Sequence, residues 1–312
     1  MRHALRAFVL CLALIPAAAH AQVPAYLYSW GTPGTMSGEF QLAHGICVDA
    51  NGLVYVGDTA NQRIQKFTNA GDYLSEWPVP FPSGLAADPF GNVFVTSDDF
   101  VHKFTSTGVP VASWGGTGSV PGLFQFPLDL AVDPSGNVFV ADWMNHRIQK
   151  FTNAGVYVTH WGTEGFSDGQ FQQPTGIACD AAGFVYVADG GRNRVQKFTN
   201  DGVLVTAWGS AGTGNGEFGF PVGIAADIDG FVHVFDTDNH RVQVFRADGS
   251  FVSAWGSQGS GYGQFAASAA LDVDATGRLF VMDKDNARVQ AFEKLSTPAL
   301  RSTWGAAKAA WR

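Results

Sequence analysis

The 312-residue chain is long enough for a sizeable core, carries 38 Gly and 13% aromatic residues, and has only 15% charged residues with a formal net charge of −8. This balance suits short, twisted strands joined by tight turns rather than helices or disorder. An acidic surface repels polyanions, so nucleic acid is disfavoured as a general partner.

The chain opens with Arg2 and Arg6, an apolar run from Phe8 to Ile15, and Ala19-His20-Ala21 as a small-x-small cleavage site. Residues 1–21 therefore read as a secretory signal peptide, which implies a secreted or periplasmic protein. Cys11 would leave with it, so Cys47 and Cys179 remain, too few for a disulfide framework. No later stretch has the run of consecutive apolar residues that a membrane helix needs.

From Val23 onward the chain repeats. Trp-Gly pairs recur at Trp30, Trp114, Trp161, Trp208, Trp255 and Trp304, and Pro78 replaces Gly after Trp77. The step from Trp77 to Trp114 is shortened. In the unit that ends at Trp161, residues 128–133, 138–141, 147–151 and 156–161 are strand-like runs, with turns from Asp133 to Gly136 and from Thr152 to Gly155. The Asp-to-Gly turn returns at Asp49, Asp88, Asp180, Asp227 and Asp274, where Gly supplies the positive φ that a tight hairpin demands. Val54-Tyr55-Val56 and Arg194-Val195-Gln196-Lys197-Phe198 alternate with the period of a packed sheet. Each unit is thus a four-stranded antiparallel meander. A single sheet of this kind cannot bury both faces, so neighbours must stack, and a closed ring leaves no terminal sheet exposed.

Between the second and third strands each unit carries an Asp, and five residues later an Arg: Asp58 and Arg63, Asp142 and Arg147, Asp189 and Arg194, Asp236 and Arg241, Asp283 and Arg288. A shortened copy without the Arg begins at Asp98. A catalytic group is needed once and a structural device in every unit, so these pairs read as structural.

The pattern Phe171-x-x-Pro174-x-Gly176-Ile177-Ala178-x-Asp180, followed by the Asp-to-Phe run that ends at Phe198, resembles the NHL repeat, of which six copies run from about Tyr26 to Trp304. The resemblance implies an all-β, six-bladed β-propeller of four-stranded antiparallel blades. It places one propeller domain at 22–305, after the signal peptide 1–21 and before a C-terminal tail at 306–312. The turn expected after Phe292 is missing, so the N-terminal run Ala25 to Trp30 is expected to close blade six, with 300–304 left outside it.

Gly-rich stretches such as Gly209 to Gly216 lack the Lys-Ser/Thr and helix of a phosphate loop. Cys47 and Cys179 fall on inner strands and read as small buried residues, with no Cys-x-x-Cys pair. His44 precedes Gly45 where the other units have Ser83, Leu128, Thr175, Val222 and Ala269, and Asp129 replaces the usual Gly of unit three. Both are expected at the channel mouth, as loop anchors or as ligands for zinc or calcium. His146 and His240 share one rim position, whereas His102, His160 and His233 fall within strands. Trp143-Met144 is an apolar departure in a loop that is polar or small elsewhere. Unit two is short, and its neighbours should leave a notch. Phe100, Trp143, Met144 and His146 are therefore the candidate recognition groove, reaching toward His44 and Asp129.

These readings converge on a monomeric, non-catalytic binding or scaffold propeller that recognises a protein, peptide or glycan through its channel-mouth face, without a resident cofactor. No residue is given a catalytic role. The resemblance also implies an alternative, since NHL-like propellers include the peptidyl-hydroxyglycine lyase and related metal-dependent lyases or hydrolases. There, inner-strand His residues hold a zinc near the channel, and His44 is the residue here in a comparable place. Animal NHL domains bind RNA through basic surfaces, which this acidic chain lacks overall.

Overall fold

The computed structural model describes residues 23–267 and 270–295. The expected signal peptide, the segment 300–304 and the tail 306–312 lie outside them. The described chain folds into six four-stranded antiparallel sheets arranged as blades around a channel. Blade three shows the pattern. Its inner strand Pro127–Val132 pairs with Val138–Asp142, which pairs with Arg147–Phe151, which pairs with the outer strand Tyr157–Trp161.

Period-two alternation is what lets each blade bury both faces. Phe139 and Ala141 pack toward blade four with Ile177, Val185 and Val187, while Val138 and Val140 pack toward blade two with Phe94 and Val101. Each of the six hydrophobic clusters lies between two neighbouring blades. Burying one such Phe or Val stabilises by about 1.5–3 kcal/mol, so the ring rather than the single blade is the stable unit.

The outer-strand Trp of one blade also covers a turn of the next. Trp114 of blade two lies on Gly155 of blade three, where an added Cβ would come within 2.6 Å of the indole and the backbone has φ +81°. Gly is required there by space and by conformation together.

The ring is closed by the N-terminal strand. Tyr26–Trp30 pairs antiparallel with Arg288–Phe292 as the outer strand of blade six, whose other members are Ala270–Val273 and Leu279–Asp283. The two ends of the described chain are therefore tied in one sheet, so blades six and one cannot separate without breaking its hydrogen bonds.

Candidate functional site

The Asp and Arg of each complete blade form a buried staple for the loop that enters that blade. In blade three, Arg147 Nε donates to Asp142 Oδ2 at 2.8 Å, and the guanidinium reaches the carbonyls of Ser119, Val120 and Leu123. Gln149 adds a bond to the same Leu123 carbonyl, and Asp142 Oδ1 accepts the N–H of Gln125. The carboxylate thus satisfies donors of the incoming loop, and Asn145 is its partner from the loop between the second and third strands. The same own-blade pair forms at Asp58–Arg63, Asp189–Arg194, Asp236–Arg241 and Asp283–Arg288.

Blade two breaks this device, and the strand register corrects the sequence alignment. Pro82 pairs with Ser97 as Pro127 pairs with Asp142, and Ser97 pairs with Phe100 as Asp142 pairs with Arg147. Ser97, not Asp98, therefore occupies the Asp position, and Phe100 and His102 replace the Arg and Gln. The reason is physical. Between the outer strand Tyr73–Pro78 and the inner strand Pro82–Ala87, the long incoming loop is reduced to Val79, Pro80 and Phe81. The carbonyls that an Arg and a Gln would bind are gone. Ser97 Oγ instead donates to the Pro80 carbonyl, and Phe100 stacks on His102 with ring centroids 6.1 Å apart. Burial pulls the His102 imidazole below its usual range, which Asp98 partly opposes.

The missing loop leaves an apolar rim on the channel-mouth face. Phe100 is 40% exposed, Met144 46%, Phe81 53% and Phe126 62%. Phe81, Phe126 and Phe220 stand just before an inner strand at positive φ, 37° and 51° for the first two, and Leu42 in the loop ahead of the blade-one inner strand shares the conformation. Large side chains avoid this conformation, which costs on the order of 1–2 kcal/mol. It turns outward residues whose apolar character alone reads as core. Phe126 is held by a bond from its N–H to Asp99 Oδ1 and by edge-on packing against Trp143 at 6.5 Å.

The candidate residues separate into two groups. Phe100 and Met144 are on the open rim, while Trp143 and His146 are half-buried supports in and after the 3-10 turn Trp143–Asn145. Among the described residues Trp143 Nε1 and His146 Nδ1 are buried without a partner, as is Nδ1 of the equivalent His240. Sequence reasoning missed Phe81, Phe126 and Leu42. Their signal was a large apolar residue directly ahead of Pro82, Pro127 and Ala43, where blade four has Gln173 ahead of Pro174.

Asp129 lines the channel. The channel is a cavity of ≈ 180 Å³ walled by the six inner strands, and Asp129 and Asp272 both line it. Asp129 Oδ2 accepts the N–H of Ile177 in blade four, and Asp272 Oδ2 accepts that of Val48 in blade one. Each carboxyl thereby stitches its blade to the next. Burial pushes both carboxyls up to about 7. Asp272 was missed too, although it stands where the other inner strands have Cys47, Ala86, Ala131, Ala178 and Ala225.

His44 is held down to about 4 by burial and by the cation Lys284. No hydrogen bond or ion pair joins it to Asp129. Among the described residues no group of three or more His, Cys, Asp or Glu side chains is gathered as a metal site. Both channel carboxyls already accept backbone amides of the next blade. Burial, followed by the nearby Asp272, raises the Cys47 thiol well above its usual range, and burial likewise raises Cys179, so neither is poised as a thiolate.

Four segments match the family model NHL repeat, residues 40–67, 124–151, 171–198 and 218–245. They fall in blades one, three, four and five. No curated protein sequence matches the chain. Among solved structures, a catalytically inactive virginiamycin B lyase from Staphylococcus aureus with quinupristin is 14% identical, with 84% of this chain and 82% of that chain covered and a TM-score of 0.58. A gluconolactonase from Xanthomonas campestris is 17% identical, covering 89% and 99%, with a TM-score of 0.61. A calcium-binding regucalcin from Agrobacterium tumefaciens is 15% identical, covering 85% and 95%, with a TM-score of 0.59. At these identities the likeness speaks for the fold alone.

Proposed function

We propose that this chain, a six-bladed propeller built of NHL repeats, is a non-catalytic binding platform that recognises a protein or peptide through its channel-mouth face. The observation that carries the reading is the uncovered apolar rim at blade two, where Phe81, Phe100, Phe126 and Met144 are all at least 40% exposed. Exposed large apolar side chains, with Phe81 and Phe126 held outward by left-handed backbone, mark recognition surfaces rather than core. The rim offers aromatic area but few side-chain donors, which favours apolar peptide side chains over the hydroxyl-rich surface of a glycan.

The remote relatives keep a second reading in view, a metal-dependent lyase or hydrolase acting at the channel mouth. The donor set around His44, with Lys284 as a charged neighbour and no cluster of three ligands among the described residues, gives it less support. Extracytoplasmic placement and a monomeric state complete the proposal, the former resting on the sequence of residues 1–21.

The test is selection of peptides from a random phage-displayed library on the purified protein. Selected peptides should bind with affinities that fall at least tenfold on Phe126→Ser/Met144→Ser, two exposed positions whose change leaves the core intact. Equal affinity for that variant would overturn the reading.

A further inference from the structure

We propose that the notch at blade two receives a cationic side chain, an Arg or Lys borne on an apolar segment of a protein partner, between the Phe100 ring and the Asp98 carboxylate. This deepens the binding-platform reading and rests on it.

In the complete blades this position is filled by the chain's own Arg. Arg147 sits between the Asp142 carboxylate and the carbonyls of its incoming loop. In blade two the register places Phe100 at that position, and the loop is absent. The cation has been deleted, while a carboxylate remains nearby. Asp98 follows Ser97 at the strand tip, is exposed, and has φ 49°. Among the described residues its carboxylate takes part in no hydrogen bond or ion pair, and its charge acts on His102. Asp99 differs, because its two oxygens are taken by the Phe126 N–H and the Thr117 hydroxyl.

Among the described residues the basic side chains of blades one to three are engaged elsewhere. Arg63 is held by Asp58 and Glu76, Lys66 by the Ser106 carbonyl, Lys103 by Asn153, Arg147 by Asp142, and Lys150 by Asn200 and Asp201. Phe100 lies across from Ser97 and stacks on the His102 ring that the Asp98 charge reaches, and Phe81 directly precedes Pro82, the partner of Ser97. An unpaired carboxylate close in the chain to exposed rings, on a protein of net charge −8, is complementary to a cation on an apolar stem. Arg fits best, since its planar group can lie on a ring while its edge meets a carboxylate.

The experiment uses peptides selected from the phage-displayed library, synthesised with Arg and with its neutral isostere citrulline. Their affinities are measured on the wild type and on Asp98→Asn. Asn is well tolerated at left-handed φ, so the variant keeps the fold. The selected peptides should carry Arg or Lys beside aromatic or aliphatic residues. Citrulline and Asp98→Asn should each weaken binding about fivefold or more, and the two together little more than either alone. Asp98→Lys should reject the same peptides. If selected peptides lack a cation, or bind Asp98→Asn unchanged, while still losing affinity on Phe126→Ser/Met144→Ser, this inference falls and the platform reading stands. If neither variant changes affinity, both fall. Selection of array glycans in place of peptides, or dimerisation that Asp98→Asn abolishes, would also overturn the cationic-peptide assignment.

Discussion

Asp99 of blade two accepts the backbone N–H of Phe126 of blade three at 2.9 Å, and its other oxygen takes the Thr117 hydroxyl at 2.6 Å. One side chain thus bridges two blades and holds a large aromatic residue in a conformation it would otherwise leave. Asp99→Ala is expected to lower stability by about 1–3 kcal/mol in urea unfolding and to weaken peptide binding through Phe126. Asp99→Asn keeps an acceptor oxygen and should retain most of both.

The staple and its replacement differ in energetic weight. Arg147 is buried beside a fully buried carboxylate, so Arg147→Ala leaves Asp142 without its cation and should cost about 3–5 kcal/mol. Phe100 occupies the same register position in blade two but is partly exposed and anchors no loop. Phe100→Ala should cost no more than about 1 kcal/mol while reducing peptide affinity. Comparable losses of stability at the two positions in denaturant titrations would contradict this account of the deleted loop.

Asp129 and Asp272 give stability a pH dependence of definite sign. Their folded values of about 7 lie above the ordinary 3.8, so the folded state holds more protons than the unfolded chain. The stabilisation is fully present below about pH 4 and is lost as pH rises toward about 7. His44, held at about 4 against an ordinary 6.5, acts in the opposite sense, its contribution being lost as pH falls from about 6.5 to about 4. Comparing wild type with Asp272→Asn cancels the His44 effect. Wild type should lose more stability than the variant between about pH 5 and about pH 8. Parallel pH profiles in urea unfolding would contradict the assignment.

His233 is buried and shares a hydrogen bond with Asp227 at 2.9 Å, a position filled by Tyr55 in blade one and Tyr186 in blade four, each donating to the Asp of its own turn. Its Nδ1 has no partner among the described residues. His233→Tyr should therefore stay within about 1.5 kcal/mol of wild type. His233→Ala, which opens a cavity and removes the donor to Asp227, should cost about 2–4 kcal/mol. Thermal unfolding of the two variants checks the difference.

The propeller was legible in the sequence because its cause is repeated. Trp114 on Gly155 and Arg147 on Asp142 are copies of contacts made blade after blade, and a period survives the drift of any single residue. The closing strand was legible for a related reason: a Trp-terminated run at Trp30 had no blade of its own. The site was legible only where a residue departed from its siblings in a loop, as Trp143 and Met144 do. Asp98 was mistaken for the repeat Asp because a deletion shifts the alignment, and only the pairing of Ser97 with Pro82 restores it. Phe81 and Phe126 were passed over because an apolar residue ahead of Pro reads as core until its backbone proves left-handed. Asp129 was legible as a channel residue from its place on the inner strand, but the Ile177 amide that its carboxylate reaches was not.

The central claim, that recognition happens where blade two lacks its incoming loop, is tested most directly by restoring that loop. Replacing residues 79–81 with the blade-three segment 116–126, together with Ser97→Asp, Phe100→Arg and His102→Gln, rebuilds the staple and covers the notch. The account predicts a folded propeller of equal or greater stability whose affinity for peptides selected on the wild type drops at least tenfold. Undiminished binding by that folded, loop-filled protein would contradict it.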